Sequence, residues 1–138
     1  MRTGEFTGFS VTLRNPGIAW IQFNTPERLN GLTHRIKRDL VETINQAQMD
    51  NAVRVMVFTG SGRAFCAGDD ISGQKKPISG EPLMPPIPAG HDNEIGTYEG
   101  LRHLSQTLNL ALRNCDKIAI AAVNLSLIHI SEPTRHRR

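Results

Sequence analysis

Residues 61–71 place a thiol and two adjacent carboxylates beside a glycine, directly after a strand-like segment. A cysteine thiol can act as a nucleophile, and carboxylates can bind a metal. An Asp side chain can also accept hydrogen bonds from backbone NH groups and so stabilise a turn. We interpret Cys66, which follows a phenylalanine, as a small buried residue rather than a nucleophile. Asp69 and Asp70 are neighbours that point apart, with no third ligand at suitable spacing, so we reject a metal site. Taken alone, the sequence from Gly68 to Asp70 predicts a turn.

The elements before this segment are a hairpin and a helix. Residues 6–13 and 18–23 are rich in β-branched and aromatic side chains, and the turn residues 15–17 between them predict a β-hairpin. Thr33 can cap the following helix, and its apolar residues recur at helical spacing, which predicts a helix packed on a sheet. These residues are Ile36, Leu40, Ile44 and Ala47.

The rest of the chain alternates between strands and a helix. Residues 53–58 have a strand's β-branched pattern and run into the glycines of residues 60–62. Residues 72–97 contain five prolines and predict a long mobile loop. Residues 98–115 return to helical periodicity, and the apolar run 117–123 predicts a buried strand. The order β-β-α-β-loop-α-β predicts an α/β layered fold with some parallel pairing.

Three segments resemble the crotonase (enoyl-CoA hydratase/isomerase) family. Residues 61–71 resemble its signature F-[CS]-[AS]-G-x-D-[IL], which follows a strand in the family as it does here. Residues 25–32 resemble its R-P-x-x-x-N-A-L segment, and residues 117–124 resemble its K-P-x-I-A-A-V-N strand. The resemblance implies an α/β fold of the crotonase-like ββα superhelix type. This superhelix is incomplete, because the resemblance ends at Asn124 and leaves a partial domain at residues 1–124.

The resemblance also implies a site. In the family, the backbone NH of the residue after the signature glycine, here Asp69, forms half of an oxyanion hole for a thioester carbonyl. One preorganised donor of this kind lowers a barrier by about 3 to 4 kcal/mol. No cofactor is implied, since coenzyme A is part of the acyl-CoA substrate. The residues implied to bind this substrate are Leu29, Ala67, Gly68, Asp69, Asp70 and Ile71.

Residues 125–138 depart from the family pattern. They have neither the glycine-rich turn that completes the oxyanion hole nor the glutamates that hydratases and isomerases place after it. We therefore expect this chain to be inactive, whereas the resemblance implies that the intact parent hydrates or isomerises an enoyl-CoA. We interpret residues 125–138 as a non-native tail. The alternative is a non-catalytic half-domain that binds acyl-CoA or a full-length homologue. Separately, His91 in the predicted loop is a candidate residue that could face an acyl group.

Composition excludes several other classes. The formal net charge is +3, but the basic excess lies largely in residues 125–138, and the nearly neutral remainder gives no basic face for nucleic acid. No apolar run is long enough for a membrane span, and the N-terminus lacks a secretory pattern, so we expect a cytoplasmic protein. The spacing of Cys66 and Cys115 supports neither a disulfide framework nor a zinc site. The family resemblance implies a homo-trimer or hexamer for the intact parent.

Overall fold

The protein is built on a five-stranded mixed sheet. A computed structural model describes residues 1–70, 78–86 and 93–124. The strands, in both chain order and sheet order, are β1 (Gly4–Phe6), β2 (Phe9–Arg14), β3 (Ile18–Phe23), β4 (Val55–Gly60) and β5 (Ile118–Ala122). The pairs β1–β2 and β2–β3 are antiparallel, whereas β3–β4 and β4–β5 are parallel. The predicted hairpin and the predicted parallel pairing are therefore confirmed. The predicted first strand, residues 6–13, is however divided by a turn at residues 7–8 into the end of β1 and most of β2.

Two helical regions accompany the sheet. A 3-10 turn (Pro26–Arg28) precedes α1 (His34–Met49), and later α2 (Glu94–Gly100), a π-helical segment (Leu101–Gln106) and α3 (Thr107–Arg113) follow without interruption. The predicted cap of α1 is confirmed, because the Thr33 side chain accepts a hydrogen bond from the Ile36 NH at 3.3 Å. None of the helices in the described part of the chain has the length and apolar character needed to cross a bilayer.

The second helical region starts earlier than the sequence predicts. The Asn93 side chain accepts a hydrogen bond from the Gly96 NH at 2.7 Å and so begins α2 at Glu94. A cap of this kind satisfies an NH that has no partner inside the helix. The predicted loop therefore ends before residue 97. Residues 72–77 and 87–92 of the predicted loop, which include His91, lie outside the described residues, as do Ile71 and the predicted tail at 125–138.

The core lies between α1 and the sheet. The four apolar positions that predict the packed face of α1 are all 2% exposed or less, so that prediction is confirmed. They pack in one cluster with buried strand residues, which include Phe9, Val11, Ala19, Ile21 and Met56. Apolar burial contributes roughly 25 cal/mol per Å², so these almost fully buried residues stabilise the packing of α1 on the sheet.

Strand β5 differs from the prediction of a buried strand. Its bounds, Ile118–Ala122, agree with the predicted segment 117–123, but four of its five residues are exposed. Ile118 is 62% exposed and Ile120 46%. A parallel strand is buried when other elements cover both of its faces. Here β5 forms the edge of the described sheet and little of the described chain covers it.

A buried carboxylate joins α1 to residues 78–86. Asp39 is fully buried, and it accepts hydrogen bonds from the backbone NH groups of Leu83 at 3.2 Å and Met84 at 3.0 Å. Burial raises the pKa of the Asp39 carboxyl, and the two NH groups together with nearby Arg35 and Arg38 oppose that rise only in part. The charged form is thus destabilised in the folded state relative to the unfolded chain.

This raised pKa predicts a pH dependence of stability. The folded state takes up a proton at Asp39 at a higher pH than the unfolded chain does. The contribution of Asp39 to the free energy of unfolding therefore increases as the pH falls toward 3.8, the ordinary pKa of this carboxyl. We expect the difference in free energy of unfolding, wild type minus Asp39→Asn, to increase on going from about pH 7 to about pH 4. Urea unfolding at a series of pH values measures it. A difference that shrinks as pH falls would contradict the dominance of burial.

Candidate functional site

The site is built on a tight turn at the end of β4. A Cβ atom at Gly60 would overlap the carbonyl oxygens of Ala64 and Phe65, so the chain folds back at a distance that only glycine permits. Ala64 is buried beneath the turn, whereas residues 67–69 are exposed. The glycine-rich loop therefore presents its last residues to solvent from a fixed base.

Two segments far apart in sequence run side by side in this loop. The Ala67 NH donates to the Leu29 carbonyl at 3.0 Å, the Leu32 NH donates to the Gly68 carbonyl at 2.8 Å, and the Asp70 NH donates to the Leu32 carbonyl at 3.0 Å. The structure thus brings together five of the six residues that the sequence assigns to acyl-CoA binding. The sixth, Ile71, lies outside the described residues.

The backbone NH of Asp69 faces away from Leu32. In a parallel bridge such as Leu32–Asp69, the peptide groups on either side of the bridged residue bond to the partner, so that residue's own NH and C=O point the other way. Within residues 1–70, 78–86 and 93–124, no atom accepts a hydrogen bond from this NH. The preceding Gly68 has φ +93°, a conformation that favours glycine. The Asp69 NH is therefore a donor held in place without an acceptor in the described chain.

The two carboxylates of the loop pair with different cations. The Lys37 ammonium lies 2.7 Å from the Asp69 carboxylate, and the Arg28 guanidinium donates to the Asp70 carboxylate at 3.1 Å. Asp69 is largely exposed, whereas the Arg28–Asp70 pair is mostly buried. In the described ranges, His, Cys, Asp and Glu side chains form no group of three that could hold a metal ion. The two acids thus act as separate tethers of the loop.

Cys66 lies beneath the exposed end of the loop. It is half-buried, and its Sγ accepts a hydrogen bond from the Gly68 NH at 3.4 Å. Burial raises the pKa of the Cys66 thiol, the Asp69 carboxylate adds to the rise, and the Gly68 NH and Lys37 oppose it. A raised pKa leaves less thiolate at neutral pH, and the thiolate is the nucleophilic form. These surroundings support a packing role.

The buried Asn30 side chain connects residues 25–32 to the loop after β4. It is 1% exposed, and its Oδ1 accepts from the Thr25 NH at 3.0 Å. Its Nδ2 donates to the carbonyls of Ser61 at 2.9 Å and Ala64 at 2.8 Å. A second amide, that of Asn124 after β5, also donates to the Ala64 carbonyl, at 3.1 Å. The loop is thereby connected both to residues 25–32 and to β5.

Known proteins resemble this chain in sequence and in fold. The enoyl-CoA hydratase/isomerase family model matches residues 14–81. A probable enoyl-CoA hydratase of Mycobacterium leprae is 32% identical over 111 residues, which are 79% of this chain and 34% of that protein. A crystal structure of a probable enoyl-CoA hydratase/isomerase from Mycobacterium abscessus superposes with a TM-score of 0.66 at 28% identity. The superposed region covers 86% of this chain and 40% of the Mycobacterium abscessus chain. This chain belongs to the enoyl-CoA hydratase/isomerase (crotonase) family.

Family membership also confirms the predicted fold class. An enoyl-CoA hydratase from Bacillus anthracis, 24% identical, superposes over 85% of this chain with a TM-score of 0.67, although the match is only 40% of that protein. The described sheet and helices are therefore an incomplete crotonase fold. The chain spans about a third of the length of its Mycobacterium leprae relative.

Three of the contacts in this crotonase-family site were not predicted. No role was predicted for Lys37, Arg28 or Asn30, although the last two lie in the segment 25–32 that resembles the family. Their partners in the loop are 32, 42 and 31 to 34 residues away in sequence, respectively. A single sequence does not show which charges or amides meet in space. The burial of Lys37 could not be predicted from the sequence, because a lysine beside the apolar face of a helix is usually exposed to solvent.

The Asn30 contacts predict a large loss of stability when its side chain is removed. Asn30 has φ 55°, so Asn30→Gly keeps the backbone while deleting about three hydrogen bonds, at an expected cost of about 2 to 4 kcal/mol. Asn30→Ala should cost about 1 kcal/mol more, since alanine resists this left-handed conformation. Urea unfolding measures both. Exposed Asn45→Ala is the matched control, and an Asn30→Gly variant as stable as wild type would contradict the role of this side chain.

Proposed function

We propose that this chain binds the thioester carbonyl of an acyl-CoA through the backbone NH of Asp69. We further propose that the intact protein hydrates or isomerises an enoyl-CoA. The observation that carries the proposal is the direction of that NH. The Gly68 carbonyl and the Asp70 NH, on either side of Asp69, are bonded to Leu32, so the Asp69 NH points away from Leu32 and has no acceptor in the described chain. Membership of an acyl-CoA-processing family supports the substrate class.

The chemistry of this family of substrates requires such a donor. Removing a proton from carbon 2 of a thioester, or adding water to an enoyl thioester, moves negative charge onto the carbonyl oxygen. An NH group already fixed in direction stabilises that charge without reorganising, and is worth about 3 kcal/mol. The backbone donates here, so the hydrogen bond itself does not depend on which side chain stands at position 69.

The side chain that this protein has at position 69 is unfavourable by itself. A carboxylate on the same residue lies on the order of 5 Å from the bound oxyanion, and two like charges at that distance repel by about 3 kcal/mol at an effective dielectric constant of about 20. The repulsion would offset most of what the NH contributes. The charge of Asp69 therefore has to be balanced for the proposed site to work.

The second NH donor of the oxyanion hole, and the residues that act as general acid and base, are proposed for the intact protein only. We propose that they lie on sequence corresponding to the region after Asn124 in longer family members, since general acid-base assistance supplies a factor of about 100 to 10,000. A non-catalytic half-domain that binds acyl-CoA is the second candidate, and binding without turnover by this chain fits both. The cytoplasmic location and the trimer or hexamer stay predictions.

Replacing one atom tests the binding role of the Asp69 NH. Chemical ligation at Cys66 and Cys115 can join three segments into a full chain in which an ester replaces the amide before Asp69. The change removes the NH and leaves the side chain in place. We expect crotonyl-CoA to bind about 2- to 10-fold more weakly, which corresponds to one hydrogen bond. Isothermal titration measures the affinity.

Free coenzyme A is the matched control ligand, because it lacks the acyl carbonyl. Its affinity should be the same for the ester and amide chains. Equal weakening for both ligands would mean that the ester perturbs the loop, and an unchanged affinity for crotonyl-CoA would contradict the proposed role of the NH. If the amide chain binds neither ligand, the proposal that residues 1–124 bind acyl-CoA is wrong.

A further inference from the structure

A buried lysine reaches the proposed oxyanion site from α1. Lys37 is 3% exposed, and its Nζ lies 2.7 Å from the Asp69 carboxylate. The same Nζ donates to the Ser105 hydroxyl at 2.7 Å. A lysine is almost never fully buried unless it is paired, and desolvating its ammonium is unfavourable without charged or polar partners. The position is therefore specific for a cation facing Asp69.

The two partners of Lys37, Asp69 and Ser105, lie in different surroundings. Asp69 is 56% exposed, so water could solvate its carboxylate without any lysine, and the pair is not needed to avoid a buried acid. Ser105 lies in the π-helical segment, a distortion often found at functional sites. Lys37 is thus ordered by the fold, and the exposed carboxylate of Asp69 is oriented by Lys37.

We propose that Lys37 is a positioning residue that cancels the charge of Asp69 beside the oxyanion-binding NH. A carboxylate at position 69 opposes negative charge on a bound thioester oxygen, and an ammonium 2.7 Å from that carboxylate removes most of the opposition. The pair also fixes the side chain on the side of the loop toward α1. The inference rests on the proposed function for its catalytic meaning, but the charge balance is measurable on the protein without ligand.

Base-catalysed hydrogen exchange of the Asp69 amide measures this balance directly. Exchange removes the NH proton and leaves a transient negative peptide group, so its rate reports the electrostatic potential at the donor. The NH has no acceptor in the described chain, so it exchanges without unfolding. We expect Lys37→Met, in the full 138-residue chain, to slow exchange of this amide roughly threefold to tenfold. Water-exchange NMR on labelled protein measures the rate.

Two further variants complete a cycle. Asp69→Asn leaves the ammonium without its counter-charge and should speed exchange relative to the intrinsic rate of its own sequence. Lys37→Met combined with Asp69→Asn should return the rate to the intrinsic value. Arg38→Met is the matched control, because it removes a neighbouring positive charge of α1 that bonds to the Pro85 carbonyl at 2.9 Å. It should leave the Asp69 rate within about twofold.

The outcomes separate charge balance from simple packing. The hydrogen-bonded NH groups of Leu32 and Asp70 report the shape of the loop, and their protection should be unchanged in Lys37→Met. An unchanged Asp69 rate, or a change accompanied by lost protection at Leu32 and Asp70, overturns the inference. If Lys37→Met does not fold, an Asp69→Asn rate that is not faster than intrinsic overturns it equally. Failure of crotonyl-CoA to bind would contradict the proposed function and leave these rates as they are.

Discussion

The bridge between Leu32 and the Gly68–Asp70 peptides is the interaction on which the rest of the site depends. Its two hydrogen bonds, at 2.8 and 3.0 Å, use the peptide groups on both sides of Asp69 and leave the NH of Asp69 pointing outward. A third hydrogen bond, from the Ala67 NH to the Leu29 carbonyl at 3.0 Å, extends the pairing of the two segments. A donor without an acceptor is costly in a protein interior, and here it is tolerated because the loop is exposed.

Three polar side chains hold that bridge against the core. Asn30 attaches it to the turn after β4, Arg28 pairs with Asp70, and Lys37 pairs with Asp69. Arg28 and Asn30 come from the chain between β3 and α1, and Lys37 comes from the first turn of α1, a helix whose apolar residues pack in the core. The site therefore inherits its rigidity from the packing of α1 on the sheet, and substitutions in that helix can alter the loop without touching a ligand.

Sequence periodicity was sufficient for the hairpin, for α1 and for the position of β4 and β5, because apolar spacing reflects which face is buried. It was wrong about the burial of β5, because an apolar run shows what a strand would bury and not whether another element covers it. The motif located the loop at residues 67–70. The partners of its charged and amide groups could not be predicted, because they depend on distances set by the folded chain.

The central claim is that the Asp69 NH contacts the carbonyl oxygen of an acyl thioester. Isotope-edited infrared spectroscopy of crotonyl-CoA carrying carbon-13 at the thioester carbonyl tests that contact most directly. A hydrogen bond weakens the C=O bond, so a lower carbonyl stretching frequency for the bound ligand than for the free ligand is the predicted result. A bound ligand whose carbonyl frequency equals that in water, or lies above it, would contradict the account.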